Sequence, residues 1–138
     1  MTKRTNDTND SLTGVWNGLY MYPLALAPGA FTATLLDFGA VLSGTIHEPD
    51  VHGVTDAGLL YAEVSGRRAG ARVEFAKTYD GAGDWTHTVH YRGDLSSDGQ
   101  EIEGTWTIPG DWSGRFLMIR AGREVTAERR TTFQDAET

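Results

Sequence analysis

A five-residue pattern of large apolar and polar positions, centred on glycine, recurs along the chain. It is clearest as IEGTW at 102–106 and WSGRF at 112–116. Apolar residues that alternate with polar ones indicate a β-strand with one buried face, so each copy predicts a strand whose glycine points inward. The same pattern occurs as YRGDL at 91–95, as LSGTI at 42–46 and, more loosely, as WNGLY at 16–20.

Short segments with this alternation occupy most of the chain, and turn residues follow each of them. The SSDG at 96–99 is an example, because serine, aspartate and glycine all favour tight turns. No helical segment lies between the strands, so the chain is predicted to be all-β. The predicted strands are 12–22, 31–38, 41–48, 59–65, 72–79, 86–95, 101–108 and 112–120.

Consecutive hairpins of this kind form a meander, and closure into a barrel removes its exposed edges. Glycine inside a strand lowers stability unless a bend or a close approach requires it, and a narrow barrel requires both. We therefore predict an eight-stranded antiparallel up-and-down β-barrel at 12–120 rather than an open sandwich. We also expect a disordered tail at 1–11 and a polar tail at 121–138. The glycines predicted to face inward are Gly18, Gly44, Gly93, Gly104 and Gly114.

The composition narrows the classes of function and partner. At 138 residues the chain is long enough for one domain, and its net charge of −7 argues against nucleic acid, whose phosphates bind basic surfaces. No stretch has the length of an apolar membrane helix and no signal-peptide pattern opens the sequence, so we expect no membrane partner. The lack of cysteine excludes disulfides and cysteine-based zinc sites, and predicts a cytoplasmic protein.

Several of these motifs resemble segments of the avidin and streptavidin family. SLTGVW at 11–16 is similar to the first strand of that family, and the Gly-x-Trp within it is equally a lipocalin-like signal, so the resemblance extends to the broader calycin group. It implies an eight-stranded antiparallel barrel with a small ligand at one mouth. The likeness continues in LSGTI at 42–46, YRG at 91–93 and EGTW at 103–106, and Trp112 falls where the family often has an inter-subunit tryptophan.

The resemblance does not bring biotin binding with it. The family has an inward asparagine two residues after the first tryptophan, and this position is Gly18 here. The ligand-binding aspartate near the end of the family's last strand falls on Arg120, so a cation stands where a carboxylate would be. We therefore expect a different ligand.

When the alternation of inward and outward residues is continued to the ends of the strands, charged side chains fall on the inward face of the barrel. Lys77, Glu48, Arg120 and His87 should gather at an open mouth, because a charge in an apolar lumen is costly unless it is paired or hydrated. A lysine or arginine there can hold a carboxylate. We therefore predict a site, without a cofactor, for an apolar or aromatic molecule with an anionic group. The predicted ligand-binding residues are Trp16, Tyr20, Phe75, Lys77, Tyr79, Tyr91, Trp106, Phe116 and Arg120.

Two other interpretations use the same charged residues. In one, Glu48 pairs with Lys77 or with Arg120, and the ion pair has a structural role only and binds no ligand. In the other, the barrel is a lyase- or isomerase-type enzyme in which Lys77 is a reactive amine or Glu48 and His87 act as acid and base, although no recognised nucleophile–base spacing is present. The four histidines match no metal-ligand spacing, so no metal site is expected.

The outer faces of the first and last strands are too apolar for a solvated wall. Either the tail at 124–133 covers this patch or a second subunit does. Because that tail is charged, we predict a homo-oligomer, and a structural or oligomerisation module is a third interpretation of function. The patch consists of Val15, Leu19, Met21, Leu117 and Ile119.

Overall fold

The computed structural model describes residues 11–21, 29–49, 58–79, 88–110 and 113–122. Within these ranges the chain is all-β and forms one closed antiparallel barrel, in which each strand pairs with its neighbours in sequence and the last strand pairs with the first. The predicted fold class is confirmed. The strands are β1 Gly14–Met21, β2 Gly29–Phe38, β3 Val41–Pro49, β4 Leu59–Ala69, β5 Arg72–Tyr79, β6 Thr88–Leu95, β7 Glu101–Thr107 and β8 Ser113–Arg120.

Most strand bounds agree with the prediction to within two residues; β2, for example, begins at Gly29 rather than at residue 31. β1 begins at Gly14 rather than at residue 12. β4 runs to Ala69, beyond the predicted end at 65, because Gly66 continues the pairing with β5 instead of opening the hairpin turn. Residues 1–10 and 123–138 of the predicted tails, together with His87 and Trp112, lie outside the described residues. In the described part of the chain, no helix is long and apolar enough to cross a membrane.

The recurring glycines lie where a side chain would collide with a neighbouring strand or with a ring inside the barrel. A methyl group on Gly104 would fall on the carbonyl oxygen of Arg92 and lie 2.5 Å from the Cα of Gly93, which is the residue opposite Gly104 on β6. A methyl group on Gly18 would instead fall on the Phe31 ring, which covers this glycine inside the barrel. The predicted reason for the glycines, close approach in a narrow barrel, is therefore confirmed at these positions.

The two ends of the barrel are unlike. At the end that we call the turn end, the connections are 39–40, 70–71 and 96–100. At the other, the loop end, the connections are 22–28, 50–58, 80–87 and 108–112, which are mostly longer. In an up-and-down barrel, β1, β3, β5 and β7 finish at the loop end and the even-numbered strands finish at the turn end. The direction of a strand therefore tells at which end its last residues lie.

Aromatic rings fill the middle of the lumen. The Phe75 and Tyr91 rings stack with centroids 4.8 Å apart, and Tyr91 meets Phe116 edge-on at 5.0 Å. Contacts of this kind add to the burial energy of the rings. The sequence predicted that these rings face inward, and this prediction is confirmed, because they pack against one another as a core. Trp16, Phe31 and Trp106 are buried in the same core.

Candidate functional site

A buried ion pair lies near the loop end of the lumen. Glu48, the next-to-last residue of β3, is 3% exposed, and Lys77 of β5 is 1% exposed. Lys77 Nζ donates a hydrogen bond to Glu48 Oε1 at 3.1 Å. Each charge depends on the other, because an unpaired charge at this depth would be costly. Of the two ion pairs that the sequence suggested, the structure contains this one.

Two tyrosine hydroxyls complete the contacts of the carboxylate. Tyr20 at the end of β1 and Tyr79 at the end of β5 each donate a hydrogen bond to Glu48 Oε2 at 3.0 Å. Burial raises the pKa of the Tyr79 hydroxyl, Lys77 opposes this rise, and Glu48 adds to it. The phenol therefore stays protonated at neutral pH and acts as a donor. We call Tyr20, Glu48, Lys77 and Tyr79 the Glu48 cluster.

Four aromatic rings surround the ammonium group of Lys77. Its Nζ lies 4.8 Å from the ring centroid of Tyr79, 5.1 Å from that of Tyr20, 5.5 Å from that of Tyr91 and 5.9 Å from that of Phe31. These separations are in the range of cation–π attraction. Phe31 was not among the predicted site residues. It is separated from the other inward residues of β2 by an even number of positions, and this spacing could have identified it.

Arg120 does not belong to this site. It is the last residue of β8, which finishes at the turn end, whereas Glu48 and Lys77 lie near the loop end. The prediction that Arg120 and Lys77 share one mouth is therefore wrong, and an Arg120–Glu48 pair is excluded by their positions. Arg120 does face inward, but β8 and β5 run in opposite directions, so their last residues lie at opposite ends of the barrel.

The Arg120 guanidinium instead binds parts of the chain together at the turn end. It stacks on the Trp16 ring with its carbon 4.4 Å from the ring centroid, and it donates hydrogen bonds to the carbonyl oxygens of Ser11 at 2.9 Å and Gly99 at 3.0 Å. The Trp16 indole N–H donates to the carbonyl of the buried Leu12 at 3.0 Å. Burial lowers the pKa of Arg120. Residues 11–13 and the β6–β7 connection are thus held by one cation.

Replacement of Arg120 by lysine should lower the free energy of unfolding by about 1–2 kcal/mol, because an ammonium cannot keep both carbonyl contacts and the stacking on Trp16. Urea unfolding followed by tryptophan fluorescence measures the change. Arg115→Lys is the matched control on the same strand, since Arg115 forms a half-exposed pair with Glu103. We expect a smaller loss there. Equal losses in the two variants would contradict the role given to Arg120.

The predicted site residues thus do not form one site. Tyr20, Lys77, Tyr79 and Trp106 lie towards the loop end, where the Trp106 indole N–H donates to the Met21 carbonyl at 3.1 Å. Phe75, Tyr91 and Phe116 pack on one another inside the lumen, and the Tyr91 ring also contacts Lys77. Trp16 and Arg120 lie together at the turn end.

The outer patch of β1 and β8 is largely buried within the single chain. Met21, Leu117 and Ile119 form a small buried cluster, and of the five predicted residues only Val15 is a large exposed one. A second subunit is therefore not needed to remove most of this patch from water. The homo-oligomer stays a prediction.

Two grooves mark the outer wall. One of about 500 Å³ is lined by residues that include Leu19, His47 and Leu117, and another of about 520 Å³ by residues that include Arg67, His90 and Arg92. Neither groove is lined by a member of the Glu48 cluster. Among the described residues, no three histidine, aspartate or glutamate side chains form a possible metal site.

Comparison with known proteins adds no function to this geometry. The sequence matches no model of a known protein family, and no curated protein is significantly similar to it. The closed barrel of eight antiparallel strands is compatible with an avidin-like or calycin fold, and the likeness is supported at the level of this architecture.

Proposed function

We propose that this protein binds a small molecule at the loop end of its barrel, and that the molecule is apolar or aromatic and carries an anionic group. The observation behind the proposal is the Glu48 cluster, a buried ion pair with two tyrosine hydroxyls near the loop end of an otherwise apolar lumen. Binding sites in proteins combine an apolar wall with a few converging polar groups, and this end of the barrel has both.

The chemical character of the cluster favours a role beyond stability. Hydrophobic side chains of similar volume often stabilise a protein as well as a buried ion pair does, or better. A barrel with rings in the middle of its lumen has no packing need for Lys77 and Glu48 at this depth. The pair is more readily explained by an anionic ligand, for which Lys77 is a cation and Tyr20 and Tyr79 are donors.

The location of the cluster supports the same conclusion. The last residues of β1, β3 and β5 supply its side chains, and the connections that follow these strands, 22–28, 50–58 and 80–87, all leave at the loop end. Trp106 and Phe31 provide apolar surface beside it. We place this activity in the cytoplasm, in keeping with the lack of cysteine.

Native mass spectrometry of freshly purified protein should show a co-purified small molecule and, in the same spectrum, the number of subunits. The protein should also bind 2-naphthoate saturably and more tightly than the neutral 2-naphthamide, because only the carboxylate pairs with Lys77. In an NMR titration, the amide signals of Glu48 and Tyr79 should shift while those of Leu42 and Val73, near the turn end, stay in place. The absence of both a co-purified molecule and saturable binding would refute the proposal.

A lyase- or isomerase-type reaction is the second candidate. It is favoured by the 3.1 Å contact between Lys77 Nζ and Glu48 Oε1, which places an acid and a base within hydrogen-bond reach. Both carboxylate oxygens accept hydrogen bonds in the free protein, so catalysis requires the substrate to replace one of these contacts. Conversion of the co-purified molecule by the protein, measured by mass spectrometry, would favour this candidate over simple binding.

A further inference from the structure

We propose that Glu48 occupies, in the free protein, the position that the carboxylate of the ligand takes on binding, so that the ligand displaces an internal competitor. This inference rests on the proposed function. Three donors converge on the carboxylate: Lys77 Nζ on Oε1, and the hydroxyls of Tyr20 and Tyr79 on Oε2. The donors come from β1 and β5, whereas Glu48, the acceptor between them, comes from β3.

Two of the three donors, Lys77 and Tyr20, are held more firmly than the acceptor, because the strands on both sides pair with them. Lys77 pairs with Val64 on one neighbouring strand and with Val89 on the other, and its ammonium is surrounded by aromatic rings. The pairing of β2 with β3 extends from Phe38, opposite Val41, to Thr32, opposite His47. It therefore ends one residue before Glu48.

Glu48 lies at a point where its strand is about to leave the sheet. Its partner on β4 is Leu60, and only Pro49 separates it from the connection 50–58. A side chain at the end of a strand, paired on one side, can leave the lumen with less disturbance than one in the middle of a strand paired on both sides. Glu48 is therefore more easily displaced than Lys77 or Tyr20, which are paired on both sides. Tyr79, like Glu48, is paired on one side only, but as a donor it keeps its role when one carboxylate replaces another.

The exchange of one carboxylate for another keeps the charge of the buried site unchanged. Lys77 remains neutralised, and Tyr20 and Tyr79 keep an acceptor, so no buried donor or charge is left without a partner. A neutral ligand cannot achieve this, because it would leave the ammonium of Lys77 buried and unpaired. The ligand class that follows is a monocarboxylate, or a similarly compact oxyanion, attached to an apolar or aromatic body.

Glu48 also sets a threshold for binding. Because it is tethered beside the donors, it competes at a high effective concentration, which for short flexible tethers is on the order of millimolar. A small carboxylate such as acetate has no apolar body with which to overcome this competition. Selectivity for larger carboxylates thus follows from a side chain of the protein itself.

The direct test compares 2-naphthoate and 2-naphthamide binding to the wild type and to Glu48→Gln. Glutamine has the shape of glutamate but holds Lys77 far less strongly, so 2-naphthoate should bind the variant about tenfold or more tightly than the wild type. The gain for 2-naphthamide should be smaller. Glu63→Gln is the matched control, since Glu63 is an exposed residue of the adjacent strand β4. It should leave both affinities unchanged.

A second measurement uses the wild type and does not depend on the folding of the variant. Protein labelled with carbon-13 at the glutamate side-chain carboxyl should show the Glu48 resonance moving towards the position of an exposed glutamate as 2-naphthoate saturates. Binding without this movement would overturn the inference, as would equal 2-naphthoate affinities in Glu48→Gln and the wild type or an equal gain in Glu63→Gln. Those results would leave the proposed function standing. If neither probe binds and no molecule co-purifies, the proposed function itself fails, and the inference with it.

Discussion

Replacement of Lys77 by methionine should lower the free energy of unfolding by about 3–5 kcal/mol. Methionine keeps most of the apolar contacts of the lysine stem with the surrounding rings, but it leaves the Glu48 carboxylate buried without a cation. The loss is expected to be large because both partners are almost completely buried, at 1% and 3% exposure. Urea unfolding followed by the fluorescence of Trp16 and Trp106 measures it.

The same strand supplies a control that differs mainly in burial. Arg72 of β5 pairs with Asp94 at 3.1 Å, the same distance as in the Lys77–Glu48 pair, but these side chains are 57% and 70% exposed. Arg72→Met should therefore change the free energy of unfolding by no more than about 1 kcal/mol. The double variant Lys77→Met/Glu48→Gln should recover part of the loss, because it removes both charges. Similar losses in Lys77→Met and Arg72→Met would show that the buried pair has no special importance.

Replacement of Gly104 by alanine should lower the free energy of unfolding by about 3 kcal/mol or more, which is the upper end of the range for overpacking. The added methyl group would fall on the carbonyl oxygen of Arg92 and lie 2.5 Å from the Cα of Gly93, and these are backbone atoms. The backbone of β6 cannot move aside without weakening its pairing with β7. Urea unfolding gives the change, and a shift in the amide signals of Gly93 by NMR would locate the strain.

Gly70→Ala separates the effect of space from that of backbone conformation. Gly70 lies in the β4–β5 turn with a φ of 60°, and a methyl group there would meet no atom within 4 Å. The left-handed conformation alone should account for a loss of about 1–2 kcal/mol. A loss at Gly104 no greater than that at Gly70 would contradict the interpretation that the recurring glycines exist to let strands approach.

The sequence was sufficient for the architecture because the barrel depends on a local, repeated signal. The apolar–polar–Gly–polar–apolar pattern around Gly104 and Gly114 defines strands, faces and narrow spacing together, and the turn residues supply the order of pairing. The same alternation predicted that Lys77 and Glu48 face the inside of the barrel. The predicted strand 59–65 is too short because glycine favours turns, whereas Gly66 pairs with Phe75 within β4.

The site was less predictable because the alternation of residues tells whether a side chain faces inward, but not where along the barrel axis it lies. Arg120 and Lys77 both face inward, but β8 and β5 run in opposite directions, so the two cations lie at opposite ends. The three hydrogen bonds on Glu48 depend on side-chain conformations that a period of two residues does not encode. The burial of Leu117 and Ile119 within one chain also could not be predicted from the alternation, which assigns them only to the outer face.

The asymmetry of the barrel bears on how the protein can be handled in the laboratory. β1 starts and β8 finishes at the turn end, side by side, since Trp16 is paired with Arg120. A tether, dye or fusion partner joined before β1 or after β8 therefore begins on the side away from the Glu48 cluster. When the protein is captured on a sensor surface in this way, the loop end of each molecule should face the solution.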